Sequence, residues 1–122
     1  MSTLNVSNIT DGTDTVETGY VLNGSAKAWV NFNGTGTIAA RDSLNVSSLT
    51  DIGTGIYETN YSSAFGASDY VAQATCIDLF NGSAVCTIGV PSASVTRFAT
   101  YGINQTLYDG SYVGTQSVGD LA

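Results

Sequence analysis

The stretch Ala26-Lys27-Ala28-Trp29-Val30-Asn31-Phe32-Asn33-Gly34-Thr35-Gly36-Thr37-Ile38-Ala39-Ala40-Arg41-Asp42 decides the fold. Read with a period of two, Ala26, Ala28, Val30 and Phe32 share one face, and Lys27, Trp29 and Asn31 share the other. The run then meets Asn33-Gly34. Asn-Gly between alternating apolar residues signals a hairpin, because both central residues of a type I′ turn take positive φ. A strand, a tight turn and a return strand over Thr37 to Asp42 are therefore expected. The same stretch joins the single Trp to two of the three basic residues, Lys27 and Arg41.

Toward the N-terminus, Leu4, Val6 and Ile9 alternate weakly, and Asp11-Gly12-Thr13-Asp14 breaks that pattern. Thr15 to Asn23 reads as a polar connection, and Asn23-Gly24-Ser25 as a turn into the Trp29 strand. Residues 1–25 thus form an extended arm with little to bury by itself, ahead of a domain over residues 26–122.

Toward the C-terminus, Leu44, Val46 and Leu49 suggest one strand with a bulge. Asp51 to Gly55 reads as a loop, Ile56 to Tyr61 as a strand, and Ser62 to Ser68 as a connection around Phe65. Tyr70 to Phe80, Asn81-Gly82 and Ala84 to Val90 spell a second hairpin, which Pro91 ends. Val95 to Tyr101 and Ser111 to Leu121 supply the last strands, the final one broken near Gly114. About eight short antiparallel strands, Gly-rich turns and no helical periodicity give an all-β domain, a β-sandwich or jelly-roll-like fold.

Composition agrees. In 122 residues there are 14 Gly and one Pro, with 43% apolar and 11% charged residues, which suits one β-rich globular domain and not a disordered chain. The net charge is −7, and such a surface repels phosphate, so neither nucleic acid nor an anionic membrane is an expected partner. No apolar run approaches the roughly 20 residues that span a bilayer. The start Met1-Ser2-Thr3-Leu4-Asn5 lacks the charged and apolar regions of a secretory leader, so synthesis and assembly in the cytoplasm are expected. On that expectation the Asn-x-Ser/Thr triplets at Asn5, Asn8, Asn23, Asn33, Asn45, Asn60, Asn81 and Asn104 reflect composition, not glycan acceptors.

With no His, triad hydrolysis and His-based zinc chemistry are unavailable. Carboxylate pairs such as Asp51 with Glu58, or Asp69 with Asp78, could in principle cleave a glycoside, but nothing marks them off from solvated charge. No enzyme, cofactor or metal is expected. Asp11, Asp14 and Glu17 offer the hard oxygens that Ca²⁺ takes, yet without the spacing of an EF-hand loop they read as a polar turn. If Asn81-Gly82 closes a two-residue turn, Cys76 faces Thr87 instead of Cys86, and both thiols stay free. Trp29 is expected in the core or at a subunit interface, and Tyr101 and Tyr108, beside loops, at a recognition surface. Arg41 and Arg97 are each expected to pair with a carboxylate, within the chain or across a subunit boundary.

Several of these stretches also resemble a module of bacteriophage structural proteins, found in tail fibres and small virion appendages. The resemblance lies in Lys27-Ala28-Trp29-Val30-Asn31-Phe32-Asn33-Gly34-Thr35-Gly36-Thr37, in Arg41 to Tyr57, in Phe65 with Ser68-Asp69-Tyr70-Val71, in Ser94 to Thr100, and in Ser111-Tyr112-Val113 with Gly119 to Ala122. The opening Ser2 to Ile9 fits it as well. The resemblance implies a virion structural protein assembled in the host cytoplasm, a short tail fibre or appendage subunit that contributes to host attachment. Implied partners are further copies in a homotrimer, tail or capsid proteins held through Leu4, Val6 and Ile9 of the arm, and a host-surface glycan or protein. A capsid decoration or cement protein is the alternative, and a glycan depolymerase the third.

Overall fold

The computed structural model describes residues 1–77, 85–89, 92–102 and 104–122. Among the described residues, ten strands and one short helix follow in chain order. They are β1 (Asn8–Thr10), β2 (Thr15–Glu17), α1 (Thr18–Gly24), β3 (Ala26–Asn33), β4 (Ala39–Leu44), β5 (Val46–Gly53), β6 (Ile56–Tyr61), β7 (Val71–Ile77), β8 (Val85–Ile88), β9 (Val95–Tyr101) and β10 (Tyr112–Val118). Eight of them build two four-stranded antiparallel sheets, ordered β4-β3-β10-β7 and β5-β6-β9-β8. The sheets face each other as a β-sandwich. The strands β1 and β2 pair separately in the N-terminal arm.

Alternation puts the core between the sheets. On β3 the residues Ala28, Val30 and Phe32 are buried, and on β6 Tyr57, Thr59 and Tyr61, each separated by a more exposed neighbour. Phe98 of β9 and Val113 of β10 complete the central layer. Phe32, Tyr57 and Phe98 form a triangle with ring centroids 5.3–5.8 Å apart. At one end Tyr61, Phe65 and Tyr70 make a second aromatic group, with Phe65 stacked on Tyr70 at 4.1 Å. Aromatic pairs of this geometry add roughly 0.5–1.5 kcal/mol each beyond the area they bury.

Several polar groups inside this core are bonded across the sandwich. The Tyr61 hydroxyl meets Ser117 Oγ of the first sheet at 2.7 Å and Thr96 Oγ1 of the second. Tyr70 also bonds Thr96 and donates to the carbonyls of Ser92 and Val95 at 3.1 Å. Desolvation, the main cause, holds the Tyr70 hydroxyl protonated well above its ordinary range.

Several local expectations are corrected. The β3–β4 hairpin exists, with Asn33 opposite Ala39, but its loop spans 34–38 and the return strand starts at Ala39. Gly34 is not free to turn: its N–H donates to Gly110 O at 2.9 Å and its carbonyl accepts the Tyr57 hydroxyl at 3.1 Å. Leu44 and Val46 belong to different sheets, because Asn45 at φ 55° turns the chain from β4 into β5. Its side-chain amide fixes that crossing through bonds to Ser63 O and Ser63 N at 3.0 and 2.7 Å. The bulges in β5 are present, after Val46 and after Asp51, and the strand runs on to Gly53 where a loop was expected. Gly114 does not break β10, whose one irregularity lies between Ser117 and Val118.

The largest correction concerns the second hairpin. β7 pairs with β10 over seven residues, and β8 pairs with β9, so the two arms lie in different sheets. The Asn81-Gly82 turn itself lies outside the described residues. With β10 taking up one edge of β7, that strand's pairing is long-range, a preference no local turn signal encodes. Cys76 therefore faces Cys86 between the sheets, not Thr87: the two side chains hydrogen-bond without a disulfide, and burial raises the Cys86 thiol far above its ordinary range.

Candidate functional site

Two surfaces outside the core carry side chains that the sandwich does not use. The first is the arm. Where a polar connection was expected, Thr15 to Asn23 holds β2 and most of α1, and β1 folds back on β2 with Ile9 opposite Val16. The turn between them is polar, as read: Asp11 Oδ1 accepts the N–H groups of Thr13 and Asp14, both at 2.9 Å. Those bonds, that of Asp14 foremost, hold the Asp11 carboxyl below the usual carboxylate value. Leu4, Val6, Ile9, Val21 and Leu22 line an open depression of about 410 Å³. All stay exposed, Leu4 by 83% and Leu22 by 63%, and Tyr20 beside them by 73%.

The second surface is the outer face of the first sheet. Trp29 is only half-buried and points away from Ala28, Val30 and Phe32, so it is not in the core, the first of the two places expected for it. Strand register sets a row across the sheet, Leu44 on β4, Trp29 on β3, Gln116 on β10 and Gln73 on β7. The next outward row is Asp42, Asn31, Gly114 and Thr75. Trp29, Gln73, Thr75, Gly114, Thr115 and Gln116 line a groove of about 430 Å³. Its wall is completed by a weak amide contact, Gln116 Nε2 to Gln73 Oε1 at 3.4 Å.

Arg41 borders the same face, and among the described residues of the chain no carboxylate pairs with it. It donates to Asn31 Oδ1 at 3.2 Å and Ser111 O at 2.6 Å, and its guanidinium lies 4.1 Å above the Tyr112 ring. Arg97 does pair as expected, donating to Glu58 Oε1 from Nε at 2.9 Å on the outer face of the second sheet. That pair is exposed on the Arg side and contributes little to stability.

The remaining candidates separate. Tyr101 ends β9 half-buried and bridges to Leu107. The Tyr108 hydroxyl is buried, so this residue is structural and not the recognition tip expected of it. Its backbone closes on Thr100, with Tyr108 N–H donating to Thr100 O at 3.3 Å and Thr100 Oγ1 donating to Tyr108 O. Asp51 and Glu58 lie one register step apart and so on opposite faces of the second sheet, which removes them as a catalytic pair. Asp78 lies outside the described residues. Among the described residues no cluster of three or more His, Cys, Asp or Glu could hold a metal ion.

Gln73, Thr75, Gly114 and Gln116 are the site residues that sequence reasoning missed. Their alternation on strands marks them as outward, but only the β3-β10-β7 order brings them to Trp29. Compared with known proteins, the chain matches no family model, no curated protein and no solved structure.

Proposed function

We propose that this chain is a bacteriophage virion structural protein, a short tail fibre or appendage subunit that acts by assembly and host attachment. The observation that carries this reading is the arm: Leu4 ahead of the β1–β2 hairpin, Ile9 on it, and Tyr20 and Leu22 on α1 are all exposed outside the sandwich, where a lone chain gains nothing from them. Apolar groups so presented are what an assembling subunit covers with a neighbour, gaining about 25 cal/mol per Å². The phage-module resemblance of the Lys27 to Thr37 strand and loop supplies the setting. In this reading the arm docks on a further copy in a homotrimer, or on a tail or capsid protein, and the sandwich is presented outward.

A capsid decoration protein would use the same arm, and copy number separates the two. Quantitative mass spectrometry of purified phage particles is expected to find a few dozen copies at most, with gold label on the tail or thin projections. Hundreds of copies and label over the head would replace the fibre reading by decoration, and absence from the particle would end both.

A further inference from the structure

We propose that the groove on the outer face of the β4-β3-β10-β7 sheet binds a neutral hexopyranose unit of a glycan, with Trp29 as its stacking platform. This deepens the attachment reading and rests on it only for the biological setting.

Three independent features of the groove point to a sugar. Trp29 is half-exposed on a solvent-facing position, between Ala28 and Val30, which are buried on the inner face of the same strand. An indole in water beside polar side chains suits the C–H face of a pyranose ring, which is apolar, while the ring's hydroxyls need partners at the edge.

Those partners flank it. Gln116 and Gln73 stand in register beside Trp29, with Thr75 one row away. Each carboxamide brings two donors and an acceptor, and each hydroxyl both functions, which matches the dual character of sugar hydroxyls. The Gln116–Gln73 contact of 3.4 Å is long enough to give way to a ligand at small cost.

Gly114 is the third feature. It occupies the middle of β10, a central strand, where glycine weakens the ladder and commonly marks a close approach by a ligand. A Cβ there would stand 3.2 Å from Thr75 Oγ1 and fill the floor of the groove.

Charge selects the sugar class. The lining residues are all uncharged in a chain of net charge −7, so an acidic sugar meets no cation in the groove and an unfavourable field around it. Of the two cations on this sheet, Lys27 shares the outward face of β3 with Trp29 and is held by Ser25 O and Oγ at 3.0 and 2.8 Å, and Arg41 is held by Asn31, Ser111 and Tyr112. A second copy of the chain would find only Trp29 and Leu44 as apolar contacts in that row, the rest being amides.

The single Trp makes the test direct, since the full chain gives one indole N–H resonance. The probes are methyl glucoside, methyl galactoside, methyl mannoside, neutral oligosaccharides built from them, and glucuronate as an acidic control. Titration with at least one neutral sugar is expected to move the Trp29 indole signal together with the side-chain amide signals of Gln73 and Gln116. Trp29→Ala, and separately Gly114→Val or Gln73→Ala, should weaken binding about tenfold or more with the circular dichroism of the sandwich unchanged. No movement with any neutral sugar, or binding that survives Trp29→Ala and Gly114→Val alike, would overturn the proposal. So would an indole signal that shifts with protein concentration alone, which makes the face a contact between copies. Particle copy number and sugar titration are separate measurements, so either reading can fail while the other stands.

Discussion

Tyr57 on β6 donates its phenolic hydroxyl to Asp109 Oδ1 at 3.0 Å, and the same carboxylate oxygen accepts the Gly55 N–H at 2.7 Å. One half-buried loop carboxylate thereby ties the 54–55 turn, the 108–110 segment and a fully buried core ring together. Asp109→Ala removes both bonds and leaves a backbone N–H and a buried hydroxyl short of partners. It should cost about 1–3 kcal/mol in urea unfolding. Tyr57→Phe, which deletes only the hydroxyl and keeps the ring in the Phe32–Phe98 triangle, should cost less.

Gly55 is the backbone side of that junction. At φ +66°, its added Cβ would lie 2.7 Å from Tyr108 O and 2.9 Å from Thr100 O, both main-chain atoms that cannot move aside. Gly55→Ala should therefore destabilise more than Gly34→Ala. Gly34 has no positive φ, so its Ala variant meets crowding alone, from the Tyr57 hydroxyl and ring and from Gly110 O at 3.0 Å, without the backbone strain added at Gly55. Equal melting temperatures for the two variants would contradict this ordering.

Thr59 presents the opposite case. Its hydroxyl is buried in the central layer and has no hydrogen-bond partner among the described residues. Thr59→Val keeps the shape and removes an unpaired polar atom, so it should be neutral or stabilising by about 1 kcal/mol. A loss of stability in urea would show that the hydroxyl is bonded in solution.

The pH dependence at the alkaline end follows from Tyr57 and Tyr70. Desolvation is the first cause at both, and at Tyr57 the Asp109 bond and charge add to it, so both folded-state values lie above the ordinary value near 10. A proton held more tightly in the folded state gives stability that is complete below the unfolded value. That stability is lost as pH rises above about 10 toward the folded values. Absorbance at 295 nm should accordingly show a late tyrosine ionisation that coincides with loss of the folded circular dichroism. Tyr57→Phe should move that alkaline transition upward.

How much was legible in the sequence depended on how far the controlling contact lay along the chain. The faces of β3 are correctly read from alternation, because burial of Ala28, Val30 and Phe32 repeats every second residue. Strand partners were not, since Asn81-Gly82 and the short link between β8 and β9 offer competing local hairpins. The choice falls to β10, which lies between β3 and β7. Trp29 was misplaced for the same reason: an outward Trp is legible only once Gln116, Gln73 and Gly114 are known to stand beside it. The helix α1 escaped notice because seven residues with no buried member carry no apolar period. The exposed Leu4, Val6 and Ile9, by contrast, are where an arm with nothing to bury was expected to leave them.

The central claim is that the arm is an assembly element, and the mass of the full chain in solution tests it most directly. Light scattering after gel filtration at micromolar concentration should give about three times the 12.6 kDa of one chain. A Leu4→Ser, Ile9→Ser, Leu22→Ser variant should run as the monomer with its sandwich intact. A wild-type chain that stays at 12.6 kDa, or a triple variant that keeps the oligomer, would contradict it.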